Sequence, residues 1–225
     1  MKITVADFFD FCSEYQPNER HHQSMLPEGR KATSEYVFEG ITPRESAVGI
    51  HLYPNEKGNP CFLLIQRSEY EGKHSGQYGF PGGKRELSDV NLEQCARREC
   101  MEELGIQTER GICLNVLSPV YIPVSNFIMH AFLFAHESKP TLQRNEREIQ
   151  QVIPIDLAVF ASETPISWKE MTHQVGSRFI GKVPGFQWNE HWIWGATALV
   201  LNELKALFIA YEKTVKSNGG PKGPI

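Results

Sequence analysis

Apolar residues near the N-terminus recur at close to helical spacing (Ile3, Val5, Phe8, Phe9 and Cys12), which predicts a short helix over residues 3–15. The stretch "QPNERHHQSMLPEGRK" that follows is polar and punctuated by proline and glycine, so it reads as a surface connection. Its adjacent His21 and His22 do not share a helix face, which predicts a solvent-exposed loop over a metal site. From Glu45 the pattern turns to strands. "SAVGIHLYP" and "CFLLIQRS", joined by the turn-forming "NEKGN", predict a β-hairpin. "LEQCARRECMEEL" has helical periodicity and is closed by Gly105. "GICLNVLSPVYIPV" and "FIMHAFLFAHE" read as strands separated by "SN", and "QRNEREIQQVIPIDLAVF" as a polar loop, a short strand and a helical turn. In the last segment Ala198, Leu201, Leu204, Leu207 and Phe208 form one stripe of a long amphipathic helix. No internal repeat is evident. These elements predict an α/β (α+β) chain, an α/β/α sandwich around a mixed β-sheet. The division expected is an N-terminal helical extension and connection (1–44), a main domain (45–214) and a disordered Gly/Pro-rich tail (215–225).

With 225 residues the chain is long enough to bury a core, and its 40% hydrophobic and 22% charged content is ordinary for a globular protein. A formal net charge of -4 argues against binding nucleic-acid backbones, although a divalent metal can bring a nucleotide to an acidic site. The five cysteines show no zinc-like spacing and predict reduced, buried thiols in an intracellular protein. Asp7, Asp10 and Glu14 break up the apolar N-terminus, so neither a signal peptide nor a membrane span is expected, and the location expected is the cytoplasm.

The chemistry gathers in "RRECMEELGI". Glu99, Glu102 and Glu103 fall on one side of a helix, while Leu92, Cys95, Ala96, Cys100 and Leu104 dock the other. Two carboxylates about 4 Å apart repel by about 4 kcal/mol at an effective dielectric near 20. Arg97 and Arg98 relieve part of this, yet the remaining oxygen-rich cluster is of the kind hard cations such as Mg²⁺ prefer. By itself such a helix is more often a solvated face. What changes the reading is "GFPGGK" just upstream, whose glycines allow tight turns and close approach of another group.

Taken together, "GGKRELSDVNLEQCARRECMEELGI" resembles the Nudix box, G-x5-E-x7-R-E-U-x-E-E-x-G-U with U apolar. Gly83, Arg98, Glu99, Cys100, Glu102, Glu103, Gly105 and Ile106 match. Asp89 stands at the first acidic position, with Glu86 nearby, and one extra residue precedes Arg98. That longer loop is similar to the coenzyme A pyrophosphatase branch, as is "LLIQRSEYEGKHSGQYGFPGGK", although Glu71 falls where a second arginine is often seen.

The resemblance implies a Nudix fold and hydrolysis of a pyrophosphate linkage in a nucleotide substrate. For the coenzyme A branch, the products are 3′,5′-ADP and 4′-phosphopantetheine. Other candidate substrates are ADP-ribose, NADH and dinucleotide polyphosphates. A non-catalytic nucleotide sensor is disfavoured because all three box glutamates are present. The implied Mg²⁺ or Mn²⁺ ligands are Glu99, Glu102 and Glu103, with the Gly83 carbonyl, and Arg98 would orient a glutamate by a charge-assisted hydrogen bond. The general base is a box glutamate or one in the later loop, where Glu148 sits better than Glu146. Arg67, Lys73 and Lys84 are candidate phosphate contacts, Gly82 and Gly83 add backbone proximity, and each basic residue has a surface alternative. Trp188, Trp192 and Trp194, near His191, are expected to pack a helix on a sheet more than to stack a base. A homodimer is common in the family.

Overall fold

The computed structural model describes residues 5–40, 42–68, 76–107, 111–171, 174–175, 178–179 and 181–218. In chain order its elements begin with α1 (Val5–Glu14), two 3-10 turns (Glu19–Met25 and Thr33–Glu35), β1 (Arg44–Pro54), β2 (Pro60–Arg67), β3 (Tyr78–Gly79) and β4 (Gly82–Lys84). Next come α2 (Leu92–Leu104), β5 (Ile112–Val116), β6 (Val120–Ile122), β7 (Phe127–Ala135), β8 (Ile149–Asp156) and α3 (Leu157–Glu163). The chain closes with β9 (Ile166–Glu170), β10 (Gln174–Val175), β11 (Arg178–Phe179), β12 (Lys182–Trp188), β13 (His191–Trp194) and α4 (Gly195–Asn218).

The expected hairpin forms, with Tyr53 opposite Cys61 and Pro54 opposite Pro60. Asn55 builds its turn by accepting the N–H groups of Lys57 and Asn59 on its side-chain oxygen. Beyond the turn β1 and β2 part. β1 runs parallel to β7 from Arg44 to Leu52 and antiparallel to β4, while β2 pairs antiparallel with β8 and β3. With β5 and β6 along β7, this makes one mixed sheet of eight strands. Helix α2 covers one face, where Cys95 and Ala96 meet Ala47 and Phe134. The opposite face carries Val48, Ile50, Leu52, Ala131 and Leu133 into the main core with α1 and α4. Fold class and the α4 stripe are as expected: Ala198, Leu201, Leu204, Leu207 and Phe208 are all buried. All five cysteines are free, four of them buried. Among the described residues no helix is long and apolar enough to cross a membrane.

Three features differ from the expectations. β9, β12 and β13 form a separate antiparallel sheet, where the sequence pattern predicts no strand. Asn189 takes φ +49° in the tight Asn189–Glu190 turn between β12 and β13, a two-residue hairpin loop that the pattern does not announce. The helix α4 continues to Asn218, beyond residue 214, and residues 219–225 lie outside the described residues. Finally, His22 is not solvent-exposed: it is 2% accessible, and its Nε2 lies 3.0 Å from Glu203 on α4. The fully buried Glu203 also accepts from the N–H groups of Asn18 and Ser118 and from the Ser118 hydroxyl. A buried carboxylate needs such donors, and that need draws His22 inward.

Candidate active site

The site is assembled where β4 passes under α2. Gly82 has φ +149°, and a Cβ there would lie 2.5 Å from Val48 Cα, so only glycine lets β4 lie this close to β1. A Cβ on Gly83 would fall 2.5–2.6 Å from the Glu99 carboxylate, which rests directly on the glycine backbone. The helix above is well framed at both ends. The Asn91 side chain accepts the Gln94 N–H at its start, and Gly105, at φ +65°, ends it. Two of its last carbonyls are satisfied from the later loop, Leu104 by the Gln143 N–H (2.7 Å) and Glu103 by the Asn145 N–H (2.9 Å).

Glu103 points inward and is buried. Its Oε2 accepts the Gly82 N–H at 2.8 Å and its Oε1 accepts from Arg67 Nη1 at 3.1 Å. Burial pushes its pKa up to about 7 against the opposing pull of Arg67 and Gly82, with the charges of Glu99 and Glu148 adding to the rise. Glu99 is half-buried and also raised, chiefly by burial, with Arg98 pulling the other way. Arg98 is the organiser of the outer half. It grips both oxygens of Asp89 (2.9 and 3.0 Å) and donates through Nη1 to Glu99 at 3.0 Å and to Glu102 at 3.1 Å. Asp89 is buried, held down to about 2 mainly by the Arg98 hydrogen bonds, and turns the loop by accepting the Glu86 N–H. The irregular position of the motif is therefore the anchor of its arginine, and Glu86 is exposed.

Of the proposed phosphate contacts, Arg67 is engaged with Glu103 and the Gly82 carbonyl (2.8 Å). Lys84 is exposed beside the turn, its carbonyl accepting from Arg98. Lys73 and Glu71 lie outside the described residues. The Gly83 carbonyl faces the Cys95 thiol at 3.8 Å. Glu146 turns to Arg144 at 3.2 Å, while the Glu148 carboxylate accepts from Asn145 Nδ2 at 3.1 Å. Glu148 adds to the raised pKa of Glu103. Trp188 packs against Phe160, and Trp192 lies across Gly185 with Lys169 above it, both packing roles.

Among the described residues, no three carboxylate, imidazole or thiol groups converge as a ready-made metal cage. Two guanidiniums, Arg67 and Arg98, stand among five carboxylates: Asp89, Glu99, Glu102, Glu103 and Glu148. The surplus of anionic oxygen, set on a glycine backbone with no side chain to screen it, fits a hard dication that keeps waters and substrate oxygens as its other ligands.

A family model for the NUDIX domain matches residues 43–174. The chain is 29% identical over 188 residues to the human mitochondrial coenzyme A diphosphatase NUDT8, covering 78% of each. It is 30% identical over 167 residues to the uncharacterized Nudix hydrolase NudL of Citrobacter koseri, covering 74% of this chain and 83% of that one. Among solved structures, the Nudix hydrolase RenU of M. smegmatis aligns with a TM-score of 0.48 at 14% identity, over 81% of this chain and 91% of that one. With the family model spanning more than half of the chain and all of the glycine turn and glutamate helix, this protein belongs to the Nudix family and is a Nudix pyrophosphohydrolase.

Proposed function

We propose that this enzyme hydrolyses the pyrophosphate bond of coenzyme A or its derivatives, with Mg²⁺ or Mn²⁺, to 3′,5′-ADP and 4′-phosphopantetheine. The observation that carries the chemistry is the seating of Glu99 and the buried Glu103 on the Gly82–Gly83 turn, with Glu102 joined to Glu99 through Arg98. The choice of coenzyme A is supported by the resemblance to NUDT8 and by the "LLIQRS" and "FPGGK" segments.

Glu99, Glu102, Glu103 and the Gly83 carbonyl would hold the metal. Bound there, a dication neutralises the diphosphate oxygens and eases the ionisation of water. The residues themselves do the positioning. Arg98, fixed by Asp89, keeps Glu99 and Glu102 on one face. Arg67 holds Glu103 against the glycine turn, and Arg67 and Lys84 would supply positive charge to the substrate phosphates. Glu148 takes the proton of the attacking water, the water oxygen bonds to phosphorus, and the bridging oxygen leaves with the other phosphate.

The test is a substrate panel of coenzyme A, dephospho-coenzyme A, ADP-ribose, NADH and a dinucleotide polyphosphate, each with Mg²⁺ or Mn²⁺. Products are read by mass spectrometry. Coenzyme A should be cleaved best, giving 3′,5′-ADP. Cleavage of ADP-ribose without cleavage of coenzyme A would move the enzyme to another nucleoside diphosphate derivative.

A further inference from the structure

We infer that Asn145 is a positioning residue of the reaction, holding the Glu148 carboxylate in register with the glutamate helix. The inference rests on the reading of Glu148 as proton acceptor. Glu148 is exposed, and a free glutamate side chain on the surface samples many rotamers, which a general base cannot do without losing rate. Here it is held from two sides. Its backbone carbonyl accepts the Ser68 N–H at 2.8 Å, next to Arg67 at the end of β2. Its Oε1 accepts from Asn145 Nδ2 at 3.1 Å, leaving Oε2 to take a proton.

Asn145 ties the other end of this arrangement to the metal helix. Its backbone N–H donates to the carbonyl of Glu103 at 2.9 Å, the residue whose carboxylate lies on the glycine turn. Its own carbonyl accepts from the N–H groups of Glu148 and Ile149, and its Oδ1 accepts from the Arg147 N–H at 3.2 Å. One residue thus links Glu103 through its backbone and Glu148 through its side chain. The neighbouring Glu146 lacks this tether and pairs with Arg144.

The chemistry separates the structural part of Asn145 from its action on Glu148. Asn145→Asp keeps the backbone bonds and the Oδ1 acceptor for Arg147, yet removes the Nδ2 donor to Glu148 and sets a like charge beside it. Asn145→Ser retains a hydroxyl acceptor for the turn but is too short to reach Glu148. Both variants should lose kcat by about tenfold with KM within about twofold of the parent, at an unchanged thermal midpoint. The decisive measurement is a double-mutant cycle with Glu148→Gln on the best substrate of the panel. In the Glu148→Gln background Asn145→Asp should bring no further loss, because the group it orients is gone.

Equal losses in both backgrounds, or full kcat in Asn145→Asp beside a crippled Glu148→Gln, would overturn the role of Asn145 and leave Glu148 as the base. Full activity in Glu148→Gln would instead remove Glu148 from the mechanism, and the role of Asn145 with it. A protein that cleaves no member of the panel would overturn both.

Discussion

Glu103 answers to two opposed demands: burial favours its neutral form, and a hard cation requires its charged one. Because the folded chain holds this proton up to about pH 7, against an ordinary value of 4.5, ionising Glu103 subtracts stability. The loss begins near pH 4.5 and is complete above about 7. Asp89 works in the other direction and outside that window: its contribution is present above 3.8 and is lost as the pH falls through about 2. In metal-free protein, Glu103→Gln should therefore gain on the wild type by about 2 to 3 kcal/mol between pH 5 and pH 8. The comparison cancels other buried groups, such as the hydrogen-bonded His51 and His136, which burial holds down to about 3 and about 4. Urea unfolding at several pH values checks it; a flat difference would mean that Glu103 titrates as a surface glutamate does. The same variant should lose most of its metal-dependent turnover. At this scale helical spacing puts Glu99, Glu102 and Glu103 on one side of α2, and the resemblance implies an orienting part for Arg98, which in the structure donates to Glu99 and Glu102. The grip of Arg67 on Glu103 was not legible, because the two meet only when the end of β2 and the end of α2 are folded together.

Local signals marked the elements well where they were self-contained. The Asn55–Asn59 turn, the Gly105 cap and the α4 stripe each follow from neighbouring residues alone. They failed where an element depends on a distant partner, as in the connection after α1. Nothing in "ERHHQSM" announces that His22 turns inward, because its reason is Glu203 on α4. Burial alone would raise the pKa of Glu203; donors from His22, Asn18 and Ser118 bring it below its ordinary value. Replacing Glu203 with Leu would leave those donors buried without an acceptor, at an expected cost of about 3–5 kcal/mol. The damage should be local as well as global, since the carboxylate is what joins the Asn18–His22 turn to α4. Limited trypsin digestion should then cut the variant first at Arg20 or Arg30. Unchanged cleavage there would show that the packing of Met25 and Phe8 holds the connection without the carboxylate.

At the scale of the whole molecule the stretch that carries the chemistry is shorter than the unit that folds. Residues 43–174 hold every residue of the glycine turn, the glutamate helix and the Glu148 loop. The core does not respect those limits. Phe8, Cys12 and Met25 enter it from before residue 43, and Phe186, Ile193, Ala198, Leu201, Leu204, Leu207, Phe208 and Tyr211 from after residue 174. They close over Val48, Ile50, Leu52 and Leu133, the sheet face opposite α2. Each large side chain so buried contributes roughly 2 kcal/mol, while a domain's net stability is only about 5–15 kcal/mol. A chain trimmed to 43–174 should therefore lose cooperative unfolding and near-ultraviolet dichroism and bind a hydrophobic dye, with no turnover despite its intact motif. The outer segments set the site only through the sheet that they cover. Adding a peptide of residues 1–40 should consequently not rescue the fragment, because α4 would still be missing from the same face. A trimmed chain that melts cooperatively and cleaves its substrate at the full rate would mean that the sheet and α2 alone hold β4 beneath Glu103.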